Sequence, residues 1–455
     1  MRLTPFFTLH PEGLWCKLLQ SDRPPFSDAA TMKGRVYMTG KNIPFRPAEI
    51  LLPASGVPRE TWACIACDQY TSQPEYWEKT EKIVGENPST LRLMLPECWL
   101  GSSRERIPGI HGAMEAYLRE GVVQTAVNCG FVLCRRRTPA GERLGLVGTV
   151  DLEEYDYTPG SKPLVRPTEQ TIVDRLPPRL EIRRGAALEL THILILIDDP
   201  DRTVVEPLAE RAEALRKLYD FELMQDGGHL TGYAVEKEAD LKGVEKALSA
   251  LKEKQGEDAL LMAVGDGNHS LATAKAYWEE IRGTLSEKER KTHPARFALC
   301  EIENIHDPAL EFEPIHRLIT GTTPEELYDG WERYAAERGM TLAEEGEGHT
   351  FEMAIRKDEY PVVVKNPEGA IPCETIQLFL DEYLRTHPGV NIDYIHGEQN
   401  LRKLAEKKDA VGFLLPRMEK GEFFETVRRL GVLPRKTFSM GEADEKRFYM
   451  ECKKI

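Results

Sequence analysis

Asp266 and His269 lie three residues apart in the run Gly265-Asp266-Gly267-Asn268-His269-Ser270. A carboxylate and an imidazole at that spacing can exchange protons or hold a cation. Gly265 and Gly267 bracket a sharp turn. Before it, Leu260 to Val264 is a short apolar run suited to a buried strand. After it, Ser270 reads as a helix N-cap, and Leu271, Ala274, Trp278 and Ile281 recur at helical spacing. The order strand, turn, helix leaves main-chain N–H groups at the mouth of the turn, where an anion binds readily.

Four other stretches carry groups that could join this turn. Leu164 to Gly185 is dense in arginine (Arg166, Arg175, Arg179, Arg183, Arg184) and also holds Thr168 and Glu169. Its prolines at 163, 167, 177 and 178 predict irregular backbone. Such a loop suits bidentate recognition of phosphate or carboxylate, with a solvated charged loop as the competing reading. Asp68-Gln69-Tyr70-Thr71 follows an apolar run from Trp62, a strand-to-helix junction where sites are common, or a plain capped loop. His316 with Arg317, and Lys436 after Arg435, are further candidates; the first two also fit a buried structural pair, and Lys436 a solvated cation. His192 and His229 read as structural histidines, and Cys64-x-x-Cys67 has no second pair at zinc spacing.

The elements that must position these residues can be read in outline. Phe131 to Cys134 and Leu144 to Val150 form a hairpin across Thr138-Pro139-Ala140-Gly141. Leu190 to Ile197 reads as one buried strand, Leu208 to Tyr219 as an amphipathic helix, and Leu241 to Leu251 as another. Thr323-Pro324-Glu325-Glu326 is a capping box that opens a helix, with a boundary just before it. The expected class is α/β, more accurately α+β with mixed sheets. The expected division is an N-terminal extension over 1–44, poorly ordered, a main domain over 45–320 carrying the Asp266 turn, and a smaller C-terminal α+β domain over 321–455.

Charge and length exclude some functions. A net charge of −15 over 455 residues argues against a nucleic-acid backbone or an anionic membrane as the main partner. Leu190 to Ile197, the longest clear apolar stretch, is too short to span a bilayer. Nine scattered cysteines and no evident secretory signal fit a reducing cytoplasm. The chain has no His-Glu-x-x-His, P-loop, Gly-x-Gly-x-x-Gly or Gly-x-Ser-x-Gly motif.

The motifs Asp68-Gln69-Tyr70, Arg166-Pro167-Thr168-Glu169, Asp266-Gly267-Asn268-His269, Pro314-Ile315-His316-Arg317 and Leu433-Pro434-Arg435-Lys436-Thr437, in this order, resemble the domain-of-unknown-function 1015 family. The likeness runs from about Phe45 to the C-terminus. The Asp-Gly-Asn-His piece is also similar to a motif of the ParB and sulfiredoxin fold, where a turn at a helix start binds nucleotide phosphates. One branch of that superfamily comprises free serine kinases. The arginine that follows the histidine in that motif is Ser270 here, so Lys275, or Arg166 and Arg175, would have to take its place.

These resemblances imply a ParB/sulfiredoxin-like catalytic unit and phosphate chemistry on serine or a similar hydroxy amino acid. The implied reaction is phosphotransfer from ATP or ADP with Mg²⁺ held by Asp266. The catalytic set is Asp266, His269 and the base Glu169. The cofactor set is Gly265, Gly267, Asn268, Ser270, Arg166, Thr168 and Arg175. The substrate set is Asp68, Gln69, His316, Arg317 and Lys436. A phosphoserine phosphatase and a non-catalytic nucleotide- or metabolite-binding regulator are the alternatives. The sequence leaves the oligomeric state open.

Overall fold

The strand that carries the site, Met262–Asp266, lies second in a sheet of twelve strands. A computed structural model describes residues 43–455 apart from residue 191, so the expected N-terminal extension lies, up to residue 42, outside the described residues. Along the sheet the order is Val165–Arg166, Met262–Asp266, Leu194–Ile197, Phe297–Asn304, Gly141–Asp151, Val123–Thr138, Ala48–Pro53, Cys452–Lys454 and Leu188–Leu190. Met262–Asp266 runs parallel to Val165–Arg166 and antiparallel to Leu194–Ile197. Phe297–Asn304 runs parallel to Leu194–Ile197. Leu194 to Ile197 are all buried, as expected for a strand covered on both faces.

The second sheet is antiparallel throughout its seven strands, in the order Thr341–Ala343, Asp358–Lys365, His349–Ile355, Ala410–Leu414, Phe312–Thr320 and Asn391–His396. Phe438–Met440 pairs with the start of Phe312–Thr320. The capping box forms as expected: the Thr323 hydroxyl accepts from the Glu326 N–H and opens the helix Pro324–Glu337. That helix buries Trp331 between Phe379, stacked at 5.5 Å, and the edges of Phe351 and Phe413. Leu194, Leu196 and Ala263 of the first sheet share one core with Phe312, Phe423 and Met440. The α+β class with mixed and antiparallel sheets is therefore what the chain adopts.

Several local expectations need correction. Leu208 to Tyr219 is not a helix: a short helix, Glu206–Ala209, gives way to the strand Arg216–Glu222. Tyr219 and Phe221 alternate with exposed Asp220 and Glu222 there, and that period of two prevails over the helical spacing. The run Leu190 to Ile197 breaks into Leu188–Leu190 and Leu194–Ile197, which lie at different places in the sheet. The arginine-rich stretch contains a helix, Leu176–Arg183, because Pro177 and Pro178 fall in its first turn, where a missing N–H costs nothing. The apolar run after Trp62 forms only an isolated bridge, Ile65 with Phe448.

Candidate functional site

Met262–Asp266 leads through Gly267 into the helix Asn268–Arg282. Gly267, not Ser270, is the N-cap, with φ of 81°, a left-handed conformation that glycine adopts without strain. A Cβ at Gly267 would lie 3.1 Å from Ile193 Cα. Ser270 falls in the first helical turn. Leu271 N–H is the first to bond back, to the Gly267 carbonyl, so the N–H groups of Asn268, His269 and Ser270 precede the helical ladder.

The two carboxylate oxygens of Asp266 have different surroundings. Oδ1 accepts from Gly267 N–H at 3.0 Å. Oδ2 is buried without a hydrogen-bond partner and stands 3.6 Å from Lys446 Nζ. Lys446 is itself 7% exposed, and Arg136 fixes its main chain by donating to the carbonyls of Lys446, Asp444 and Gly227. Arg136 lies over the Phe448 ring at 4.9 Å. Sequence reading missed Lys446, since only the fold brings it beside Asp266.

His269 Nε2 accepts from Ile172 N–H at 3.4 Å. Burial, with Arg179 and Arg175 nearby, pushes its pKa down to about 4, so the ring is neutral at pH 7. Glu169 is pushed above the usual carboxylate range by burial and by Asp266, while the charge of Lys436 and its main-chain N–H pull it back. Glu169 is also bridged in parallel to Leu433. Asp266, His269, Glu169, Lys436 and Lys446 thus act on one another electrostatically at one place.

Asp68 reaches the same region through His192. Their closest atoms are 3.5 Å apart, and the pairing holds Asp68 well below the usual carboxylate range despite burial. Burial alone would lower the His192 pKa, but Asp68 outweighs it and raises the value. His192 Nε2 is 3.1 Å from Ser270 Oγ, and Nδ1 is 2.8 Å from Tyr449 OH. Gln69 donates to Asp68 Oδ1, so it orients the carboxylate. His192 is hydrogen-bonded as a structural histidine should be, yet its partners connect the helix start to Asp68.

Other candidates are engaged elsewhere. Arg166 is 3% exposed and turned from the turn: it donates to the Pro163 carbonyl and to Asp258. Thr168 and Asn268 latch the loop to the strand: Thr168 N–H donates to Asn268 Oδ1 at 3.1 Å, and its hydroxyl to the Val264 carbonyl at 2.6 Å. Lys275 donates to the Leu152 carbonyl and pairs with Glu279, so it does not replace the missing arginine. Gly265 lies against Met440, whose sulfur a Cβ would meet at 2.4 Å. Arg175 is exposed and acts on His269 by charge.

His316 and Arg317 belong to the second sheet, and neither is placed on a ligand at the Asp266 turn. His316 accepts from Leu415 N–H. Arg317 is fully buried and holds the carbonyls of Arg435 and Lys436 at 3.1 and 3.0 Å, with Ile315 and Gln377 as further partners. Its effect on the site is indirect: it fixes the main chain that presents Lys436. His229 bridges Asp220 and Glu222 on a surface hairpin.

Among the described residues no three His, Cys, Asp or Glu side chains are grouped to hold a metal ion. Asp266 Oδ2 is the one orphaned carboxylate oxygen at the turn among the described residues, which fits a cation shared with a ligand and not a protein-made cage. No helix among the described residues is long and apolar enough to cross a membrane.

Solved structures with partial likeness include a free serine kinase in complex with AMP, at 13% identity and a TM-score of 0.36, covering 66% of this chain and 90% of that one. A conserved hypothetical protein from Pyrococcus furiosus aligns at 12% identity and a TM-score of 0.35, over 68% and 94% of the two chains. SbnI with a C-terminal truncation, from Staphylococcus aureus, aligns at 10% identity and 0.35, over 65% and 82%. At these values the likeness assigns no activity to this chain. No curated protein matches it in sequence. The Leu433–Thr437 motif falls beyond the matched span of the family model, which covers residues 50–383, and on that match the chain belongs to the family described as protein of unknown function DUF1015.

Proposed function

We propose that the Asp266 turn is the phosphate site of a small-molecule phosphotransferase acting on a hydroxy amino acid or similar alcohol, with a nucleotide as donor. The observation that carries this reading is the buried Asp266 Oδ2, without a hydrogen-bond partner and facing the Lys446 ammonium, at the open first turn of a fifteen-residue helix. The main-chain N–H groups of His269 and Ser270 would bind phosphate oxygens. Lys446 and Lys436 would neutralise their charge. Neutral His269 would donate one hydrogen bond to a phosphate oxygen after releasing Ile172 N–H.

Glu169 is the proposed base. Its pKa, raised by burial and by Asp266, makes it a stronger base than an ordinary carboxylate. The acceptor hydroxyl oxygen would form a bond to the terminal phosphorus as the bond to the bridging oxygen breaks. The hydroxyl proton would go to Glu169, and the shortened nucleotide would leave. Asp266 would hold Mg²⁺ together with the donor's phosphates, and that ion would supply charge neutralisation. We place this chemistry on a ParB/sulfiredoxin-like unit within residues 45–320, with residues 321–455 as a second unit that presents Lys436 and Lys446.

Phosphorus NMR of the protein with Mg²⁺, L-serine and ATP, then ADP, tests the reading against an Asp266→Ala control. A phosphate-ester resonance that the control lacks supports it. Nucleotide line broadening lost in the control, with no product from any acceptor, would favour the non-catalytic binding module, for which Ser270 in the arginine position speaks. Release of inorganic phosphate from phosphoserine without nucleotide would favour the phosphatase.

A further inference from the structure

Beside the helix start lies a cavity of about 140 Å³ that no step above uses. Its wall is largely aliphatic, from Leu93, Met94, Leu95, Met114, Leu190 and Ile193. Ser270 and Thr273, from the helix that starts at the anion turn, also line it, together with His192, hydrogen-bonded to Ser270, and Tyr449, hydrogen-bonded to His192. A dry cavity of this size elsewhere accepts a benzene-sized guest, so the space fits an apolar body of about six carbons.

We propose that this cavity holds the apolar body of the acceptor, so that the substrate is an alcohol or hydroxy amino acid larger and more apolar than serine. The proposal rests on the phosphotransferase reading for the direction of the hydroxyl, which would lie beside Ser270, one residue from His269. The wall argues against a nucleotide base. A base carries ring nitrogens and an exocyclic group that need partners. Most of the polar side chains here are already paired: Arg179 with Glu97, Arg183 Nη2 with Glu189, and His192 with Ser270 and Tyr449, while Arg183 Nε is a single donor left without a partner. One donor does not satisfy a base's ring nitrogens and exocyclic group together, and the rest of the wall is mainly aliphatic, which favours a hydrocarbon.

Methionine-methyl NMR of the labelled full chain titrated with n-hexanol is the test, with L-serine and adenosine as comparisons. Hexanol should bind and shift the methyl resonances of Met94 and Met114 in methyl-labelled protein. Ala186→Phe and Leu190→Phe, each filling the cavity, should weaken hexanol by about tenfold or more and leave Mg-ADP binding unchanged. Failure of hexanol to shift either methionine, or equal binding to both filled variants, overturns the proposal. So does adenosine displacing hexanol from the same methionines, which would assign the cavity to the base. If phosphorus NMR shows no transfer to any alcohol while hexanol still shifts Met94 and Met114, the phosphotransferase reading fails and the apolar site stands.

Discussion

Lys446 Nζ lies 3.6 Å from Asp266 Oδ2, so the segment after Met440 supplies the counter-charge to the turn at the end of Met262–Asp266. Neither residue has a fully satisfied environment without the other: Oδ2 is orphaned, and the ammonium is buried.

Lys446→Met should therefore act on both binding and stability. It leaves Asp266 without a neighbouring cation, at a cost of about 1–3 kcal/mol. Binding of Mg-ADP should weaken by about tenfold to a hundredfold if the ammonium meets phosphate. Calorimetric titration in parallel with thermal unfolding separates the two effects. Unchanged affinity in a destabilised variant would reduce Lys446 to a structural ion.

Gly267→Ala places a side chain where φ is 81° and Ile193 Cα is 3.1 Å away. The expected loss is about 1–2 kcal/mol from the left-handed backbone alone. Urea unfolding measures it, and a neutral result would mean that the turn is free to change conformation.

Arg317→Met removes the donor that fixes the Arg435 and Lys436 carbonyls inside the protein. Stability should fall by about 3 kcal/mol or more, because several buried carbonyls lose their partner together. The main chain at Lys436 should also become the first site of limited proteolysis. Arg317→Lys should not rescue it, since one ammonium does not span the same carbonyls.

Acid should weaken the fold through two histidines. His269 and His316 both have folded-state pKa values pushed down to about 4 by burial. Both are neutral in folded and unfolded chains at high pH. As pH falls below the ordinary value of 6.5, the unfolded chain gains the proton first, so stability declines until about pH 4. His316→Gln, which keeps an acceptor for Leu415 N–H, should lose less melting temperature between pH 7 and pH 5 than the parent protein. A variant equally sensitive to acid would show that His316 protonates freely in the folded state.

Local patterns carried the strand-turn-helix order, the hairpin and the Thr323 capping box, because each is written within about ten residues. The site residues separated along the chain were less legible. Asp266 and His269 stand out by type and spacing, but nothing near Lys446 or Tyr449 marks them as neighbours of the turn. Arg166 is a ligand candidate in the sequence because it sits in an irregular, arginine-dense loop; only the fold reveals Asp258 as its partner. Leu215 and Tyr219 fit a helical spacing of four, which is also two strand periods, so the sequence alone does not separate the two. Charge and periodicity identify groups that could act, whereas the fold decides which of them face one another.

The strand Cys452–Lys454 lies between Ala48–Pro53 and Leu188–Leu190, which are made far earlier in synthesis. During translation the ribosome therefore releases the whole of the second sheet before the first can be joined through that strand. Tyr449 and Lys446 arrive only a few residues ahead of it. Assembly of the turn's surroundings thus waits until the second sheet has been made, and a nascent chain halted before residue 446 has the helix start but neither the cation nor the tyrosine that complete it. Such long-range closure favours slow folding and prolonged exposure of apolar strand edges, which makes these strands the natural place for chaperones to act.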